Sequence, residues 1–137
     1  MERFIDLKSY NTFGLPVVAN YFVRINHSDD IKELMNKAVF KENRRLILGG
    51  GSNVLFLDDF FEGLVIQVDN KGWEIIDEKD NNIYVRAQAG TDWSYFVDEL
   101  VKEGLYGLEN LSLIPGKVGA APMQNIGAYG VEQKDCF

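Results

Sequence analysis

The sequence predicts an α+β fold, and three observations support this prediction. Residues 19–25 form a β-branched and aromatic run that is typical of a strand. Two groups of apolar residues recur at helical spacing, which predicts two amphipathic helices. The first group is Ile31, Leu34, Met35, Ala38 and Val39, and the second is Trp93, Phe96, Val97, Leu100 and Val101. Short apolar runs between the two groups indicate further strands.

The first half of the chain begins with a strand, a helix and a second strand. Polar residues typical of a helix start follow the strand at 19–25, and the helix at 31–39 comes next. A short apolar run at 44–48 then indicates a buried strand. This order suggests a βαβ unit.

Three consecutive glycines stop the strand at 44–48. The segment Gly49-Gly50-Gly51-Ser52-Asn53 predicts a loop, because glycine runs interrupt regular structure. Strands are predicted at 54–56 and 64–68, with a turn that contains Gly63 between them.

The second half begins with a predicted hairpin, whose strands at 73–76 and 83–87 flank the polar residues 80–82. Thr91 is the expected N-cap of the second helix, and Gly104 ends it. Beyond Gly104, glycine and proline interrupt every candidate element, so we expect backbone without regular structure there. The interrupting residues are Gly107, Pro115, Gly116, Gly119, Pro122, Gly127 and Gly130.

Composition bounds the class of protein. A chain of 137 residues is long enough for one ordinary core, and no apolar run is long enough to span a bilayer. Charged residues near Met1 stand where a signal peptide would be apolar, which favours a cytoplasmic location. The formal charge of −7 makes nucleic acid a poor partner. A single cysteine, Cys136, excludes an internal disulfide and a multi-cysteine metal site.

The glycine loop is the first candidate site. Adjacent glycines can direct several N–H groups into one concavity, and such a nest binds phosphate. The loop is not a Walker A motif, because no Gly-Lys-Ser/Thr follows. It also fails as a dinucleotide fingerprint, because Val54 stands where a third glycine is needed. A plain turn between two strands explains the glycines equally well.

The second candidate site is the stretch from Ile114 to Gly130, where small residues lie next to side-chain amides. Backbone without bulky side chains can approach a ligand closely. A flavin needs such a wall, because its faces are apolar while one edge requires hydrogen bonds that Gln124 or Asn125 could supply. Tight packing of chain against chain is the alternative explanation.

Five separated blocks of the sequence resemble UDP-N-acetylenolpyruvoylglucosamine reductases. The blocks are 11–14 (Asn-Thr-Phe-Gly), 48–55 (Leu-Gly-Gly-Gly-Ser-Asn-Val-Leu), 107–111 (Gly-Leu-Glu-Asn-Leu), 114–116 (Ile-Pro-Gly) and 124–132 (Gln-Asn-Ile-Gly-Ala-Tyr-Gly-Val-Glu). The resemblance covers about residues 9–132, and the last block is similar to the subclass with an additional tyrosine-bearing insertion. It implies the vanillyl-alcohol-oxidase type of FAD-binding domain, in which two α/β subdomains hold the cofactor between them. The expected subdomains are about 1–70 and about 71–137.

The resemblance also implies which residues bind FAD. The pyrophosphate cradle is expected at Gly49, Gly50, Gly51, Ser52, Asn53 and Val54. The flavin wall is expected at Ile114, Pro115, Gly116, Gly119, Ala120, Ala121, Gln124, Asn125, Gly127, Ala128 and Tyr129. Relatives can carry small hydroxyl residues where Ala120 and Ala121 stand, so one hydrogen bond to the flavin is expected to be lost.

By resemblance, NADPH reduces FAD, and the reduced flavin converts UDP-N-acetylglucosamine enolpyruvate to UDP-N-acetylmuramate for peptidoglycan synthesis. The family's substrate arginine, proton-donating serine and late glutamate lie beyond Phe137. We therefore expect an N-terminal fragment without catalytic residues or substrate domain, inactive alone, whose UDP-sugar binds only the complete enzyme. The alternatives are an FAD-binding subunit of another oxidoreductase and a fragment that binds nothing and self-associates through uncovered surface.

Overall fold

The computed structural model describes residues 1–136 and divides the chain into two compact units, Met1–Asn70 and Lys71–Phe137. We call them unit 1 and unit 2. Each unit has buried apolar clusters of its own, so the single core expected from chain length is wrong. In the described part of the chain, no helix has the length and apolar character needed to cross a bilayer.

Unit 1 is built on a four-stranded sheet with the order β1-β2-β4-β3. Its strands are β1 Glu2–Asp6, β2 Val18–Ile25, β3 Arg45–Leu48 and β4 Phe60–Val68. The strand β2 pairs antiparallel with β1, while β4 runs parallel to both β2 and β3. The strands predicted at 19–25, 44–48 and 64–68 are thus confirmed, and β2 and β3 form a βαβ crossover with β4 inserted between them.

Apolar side chains cover both faces of this sheet. On one face, Phe22, Leu48 and Val65 pack with the segment 7–17 that follows β1. On the other face, Leu34 packs with buried residues of β2 and β4. Because β2 and β4 contribute to both clusters, they are the most buried strands of the sheet.

The predicted helix at 31–39 is two helices. The helix α1 spans Ser28–Met35 and α2 spans Ala38–Glu42, with Lys37 in an extended conformation between them. The side-chain amide of Asn36 donates to the carbonyl of Lys32 at 3.0 Å. Such local bonds compete with the helical ladder, which explains why the apolar spacing continues through a break.

Two predictions around β4 are wrong. Residues 54–56 form no strand, and Gly63 lies inside β4 instead of in a turn. The β2–β4 register shifts between Ala19 and Tyr21, so β4 carries a bulge at this point. A Cβ at Gly63 would lie 2.5 Å from the carbonyl oxygen of Arg44. The bulge therefore requires glycine, and propensity alone suggested a turn.

Unit 2 begins with the hairpin of β5 Trp73–Lys79 and β6 Asn82–Ala87, which confirms the predicted hairpin. The turn residues Asp80 and Asn81 both have positive φ, as a tight hairpin turn requires. The helix α3, Trp93–Lys102, buries four of the five residues of the predicted apolar stripe against Leu111 and Ile126, while the fifth, Val101, is exposed. Its N-cap is Asp92, whose carboxylate accepts from the N–H of Tyr95, so the prediction of Thr91 as cap is wrong.

The glycine-rich region after Gly104 is more regular than we predicted. It contains the short strands β7 Gly127–Ala128 and β8 Val131–Glu132, which pair antiparallel. It also contains 3-10 helices at Glu109–Leu111, Val118–Gln124 and Gln133–Cys136. Each element is too short to show a periodic pattern, which explains why the sequence did not reveal them.

Candidate functional site

The glycine loop, residues 49–53, leaves the sheet at the carboxyl end of β3. Leu48 anchors its start, because this side chain is fully buried in the core of unit 1. Of the three glycines, only Gly51 has a positive φ, at 69°. A Cβ at Gly51 would collide with the backbone carbonyl of Tyr10. Glycine at this position is therefore required by backbone conformation and by space.

A turn at residues 11–14 holds the glycine loop. The backbone N–H of Thr12 donates to the carbonyl of Gly51 at 3.2 Å, and the Thr12 hydroxyl donates to the same oxygen at 3.4 Å. These bonds fix the direction of the Gly51 peptide group. The glycine loop is thus positioned by residues that lie about 40 positions earlier in the chain.

Asn11 holds the turn itself. Its side-chain amide donates to the carbonyls of Leu7 and Leu15 at 2.8 and 3.0 Å, and its side-chain oxygen accepts from the N–H of Leu15 at 3.0 Å. The residue is 6% exposed. No pattern in the sequence predicts this role for Asn11, which belongs to one of the five blocks of family resemblance. An asparagine in a short polar segment between strands was the only signal available.

The backbone of the glycine loop can accept an anion. Within residues 1–136, no backbone carbonyl accepts a hydrogen bond from the N–H of Gly50, Gly51 or Asn53. Gly50 and Asn53 are exposed. Unpaired N–H groups in a turn are the donors that bind phosphate oxygens in proteins. Such donors could hold phosphate oxygens, and Val54, which packs partly against the core, follows them.

The start of the second candidate stretch is tied to the beginning of α3. The carbonyl of Gly116, which has a φ of 134°, accepts from the N–H of Trp93 at 3.0 Å. The N–H of Gly119 donates to Ala89 at 2.9 Å, and a Cβ at Gly119 would lie 2.6 Å from the Cβ of Ala89. At Gly119, Ala89 of the same chain occupies the position that a side chain would take. This is expected if the glycine allows tight packing of chain against chain.

Two further candidates have structural roles. Ala121 is 3% exposed and packs in the core of unit 2, so only its backbone remains for a ligand. Asn125 has the left-handed conformation, and its side-chain oxygen accepts from the N–H of Lys134 at 3.1 Å. An ion pair with Lys134 and a hydrogen bond with Asn125 lower the pKa of Glu132. These contacts connect the two ends of the β7–β8 hairpin.

The remaining candidates of unit 2 differ in exposure. Gln124 and Tyr129 are exposed, and Tyr129 at 90% is among the most exposed side chains of the chain. Ile114 and Ala128 pack partly against the core. Pro115 and Gly127 are exposed, while Ala120 is half-buried. The stretch thus presents an amide and an aromatic ring on a small-residue backbone that its own hydrogen bonds support.

Comparisons with known proteins bear on this arrangement. The sequence model of the FAD binding domain family matches residues 19–137. The chain belongs to the FAD binding domain family. Both candidate segments of this FAD binding domain lie within the matched residues.

Curated relatives support the resemblance to a particular enzyme. A UDP-N-acetylenolpyruvoylglucosamine reductase of Neisseria gonorrhoeae is 50% identical over 130 residues, covering 95% of this chain and 37% of the relative. The reductase of Pseudomonas savastanoi pv. phaseolicola is 48% identical over 137 residues, covering 100% of this chain and 40% of the relative. The resemblance inferred from the five blocks is confirmed.

A solved structure shares the fold. The crystal structure of UDP-N-acetylenolpyruvylglucosamine reductase (MurB) from Thermus caldophilus superposes with a TM-score of 0.72 at 30% identity. The match covers 96% of this chain and 44% of that chain. The predicted α+β class and FAD-binding fold are confirmed, and the chain spans about two fifths of the length of the curated relatives it matches.

Proposed function

We propose that this chain supplies FAD-binding surfaces of a UDP-N-acetylenolpyruvoylglucosamine reductase. The observation that carries the proposal is the glycine loop, in which Gly50, Gly51 and Asn53 keep backbone N–H groups without a backbone partner in the described residues. In a chain of net charge −7, backbone donors can bind a phosphate without a general positive field. The match to the FAD binding domain family supports FAD as the ligand of this site.

Within unit 1, the roles are binding and orientation. The glycine loop donates hydrogen bonds to the pyrophosphate, and Thr12 and Asn11 hold the loop in its conformation. Gly51 allows the close approach of Tyr10. Because Thr12 and Asn11 hold the loop through contacts within the protein, we expect little rearrangement on binding, which favours affinity.

Within unit 2, we propose that residues 114–129 contact the flavin. Gln124 is exposed and can hydrogen-bond to the polar edge of the ring, while small residues such as Ala120 admit its apolar face. Tyr129 can cover a ring face with its own aromatic ring. We further propose that 1–70 and 71–137 are the two subdomains of the FAD-binding fold.

In the complete enzyme, we propose that bound FAD accepts hydride from NADPH and passes it to the enolpyruvyl group of the UDP-sugar. The product, UDP-N-acetylmuramate, serves peptidoglycan synthesis, and through it cell shape and division, in the cytoplasm. No residue of this chain is assigned to the chemical step. We also propose that the chain alone self-associates, since Ile75, Ile76, Ile83 and Tyr84 of the β5–β6 hairpin are exposed.

The proposal is tested by titrating the purified 137-residue chain with FAD, followed by flavin fluorescence and by the visible absorbance of the retained cofactor. We expect saturable binding that is weakened by competing ADP, because ADP shares the pyrophosphate. A chain that folds, as shown by circular dichroism, and binds no FAD would contradict the proposal. Assay of the same chain with NADPH and the enolpyruvyl substrate should give no lactyl product.

A further inference from the structure

The carboxyl end of the parallel strands carries one arginine whose position no sequence pattern singled out. Arg24 pairs in register with Gln67 of β4, and Gln67 pairs with Leu48 of β3. The three residues therefore form one row across β2, β4 and β3. Gly49, the first residue of the glycine loop, directly follows Leu48.

The Arg24 side chain extends toward β4, the neighbouring strand in this row. Its Nε donates to Oε1 of Gln67 at 3.0 Å, and Gln67 belongs to the strand between β2 and β3. Neighbouring strands lie about 4.8 Å apart, so Arg24 and Leu48 are separated by roughly 10 Å at the backbone. The bond to Gln67 directs the Arg24 guanidinium toward the strand that separates it from β3.

Tyr10 contacts both the Arg24 guanidinium and the glycine loop. An Nη atom of Arg24 donates to the Tyr10 hydroxyl at 3.2 Å. The backbone carbonyl of Tyr10 fills the space next to Gly51 where a side chain would otherwise stand. Arg24 thus bonds to Gln67, whose register partner Leu48 precedes the loop, and to Tyr10, whose backbone packs against Gly51.

The charge of Arg24 is available to a ligand. Within residues 1–136, Arg24 forms no ion pair, and its two hydrogen-bond partners, Gln67 and Tyr10, are both neutral. The residue is exposed. Several other cations differ in this respect, because Lys32, Lys37, Arg86 and Lys102 all lie next to carboxylates. Two neutral partners orient a guanidinium without cancelling its charge.

We propose that Arg24 is a ligand-binding residue that places a positive charge against the pyrophosphate held by the glycine loop. This inference rests on the proposed function and adds a side-chain contact to a site otherwise made of backbone donors. The guanidinium fork can donate two hydrogen bonds to phosphate oxygens while it keeps its contact with Gln67. In an acidic protein such a local cation offsets the repulsion that an incoming anion meets.

The test compares Arg24→Gln with Arg45→Gln in the 137-residue chain. Arg45 is also an exposed arginine of unit 1, but it lies at the opposite end of β3 and stacks on Phe40. Three probes are titrated: FAD, inorganic pyrophosphate and riboflavin, which carries no phosphate. We expect Arg24→Gln to weaken FAD and pyrophosphate binding by on the order of tenfold or more. Riboflavin binding should not change, and Arg45→Gln should stay within about twofold for all three probes.

Two further measurements separate binding from structural support. The salt dependence of FAD affinity should become shallower in Arg24→Gln, because one charge contact is gone. Arg24→Lys should recover part of the loss, since it keeps the charge without the planar fork. Tyr10→Phe should weaken pyrophosphate binding by a few fold, because one partner that orients the guanidinium is lost. If Arg24→Gln fails to fold, the Arg24→Lys and Tyr10→Phe variants decide the question.

Three outcomes of these titrations distinguish the role of Arg24 from the proposed function. Equal FAD and pyrophosphate affinities in wild type and the Arg24 variants would overturn the role of Arg24 and leave the proposed function intact. A wild-type chain that binds pyrophosphate through Arg24 and binds no FAD would contradict the proposed function alone. A wild-type chain that binds neither would overturn both.

Discussion

The backbone carbonyl of Tyr10 occupies the space into which a Cβ of Gly51 would project. This contact joins the segment after β1 to the loop after β3, and it leaves no room for any side chain at Gly51. The same residue has a φ of 69°, which residues other than glycine, asparagine and aspartate rarely adopt. The candidate phosphate site therefore requires glycine at position 51, because only a hydrogen atom fits where a side chain would stand.

Replacing Gly51 by alanine should destabilise unit 1 strongly. The left-handed backbone costs ~1 kcal/mol or more for alanine, and the steric overlap with Tyr10 adds ~1–3 kcal/mol. Gly14→Ala is the matched control, because Gly14 has a φ of 64° and nothing within 4 Å of its Cβ position. Urea unfolding should show the larger loss for Gly51→Ala, and equal midpoints for the two variants would contradict the steric argument.

Replacing Asn11 by alanine should cost ~3 kcal/mol, because three hydrogen bonds are lost in a buried turn. The glycine loop should lose its fixed position at the same time, so FAD affinity should fall even under conditions where the variant is fully folded. Asn36→Ala provides the control, since Asn36 is exposed and makes one side-chain bond to Lys32. A stability of Asn11→Ala within ~0.5 kcal/mol of wild type would show that the turn does not need these bonds.

Thr91 and Asp92 should respond differently to substitution, although both are typical N-cap residues. Thr91 is buried, and its hydroxyl both accepts from and donates to the backbone of Gly72, at 3.0 Å in each case. Thr91→Val should leave the N–H of Gly72 without its partner at a cost of ~1–3 kcal/mol, while the Gly72 carbonyl keeps the bond from the N–H of Gln88 at 2.9 Å. Asp92→Ala should remove the cap of α3 and cost ~1 kcal/mol. Chemical denaturation of both variants checks the order, and a smaller loss for Thr91→Val would reverse our assignment.

The start of α1 should weaken in acid. Backbone N–H groups of His27 and Asn26 donate to the Asp30 carboxylate and lower its pKa below the usual 3.8. The folded pKa then lies below the unfolded one, so the carboxylate stabilises the fold above the unfolded value, and this contribution is lost as the pH falls through the folded value. Asp30→Asn should therefore lose less stability than wild type between pH 5 and about pH 2.

The control for this pH experiment is Asp29→Asn, which removes the same charge one residue away, where the carboxylate pairs with Lys32 in solvent. Urea midpoints at several pH values compare the three proteins. An identical pH dependence in wild type and Asp30→Asn would show that the carboxylate at the helix start contributes nothing in acid.

The sequence predicted those elements whose pattern is long enough to be periodic. The stripe of α3 is an example, because Trp93, Phe96, Val97 and Leu100 are all buried on one side. The bulge at Gly63 could not be predicted, since it depends on the carbonyl of Arg44 in a neighbouring strand. Residues 54–56 have the composition of a strand, yet they pair with none, so composition was not sufficient.

The candidate site was predictable only in part, for a similar reason. The glycine run marks a loop after a strand, which local sequence can indicate. The roles of Asn11, Tyr10 and Arg24 depend on residues far away in the chain, so no local pattern contains them. In unit 2, the sequence predicted that Ala121 lies beside a ligand, but its side chain is buried against α3. This burial follows from the path of the backbone, which one sequence does not specify.

The strand order of unit 1 has a consequence for synthesis on the ribosome. The strand β4 is the last of the four along the chain, yet it stands between β2 and β3 in the sheet. Until β4 has emerged, β3 has no neighbour with which to pair, and the apolar side chains of β2, such as Phe22, lack their contacts with β4 residues such as Val65. The nascent chain therefore exposes open strand edges for most of the time that unit 1 is being made, which is when chaperones would be needed.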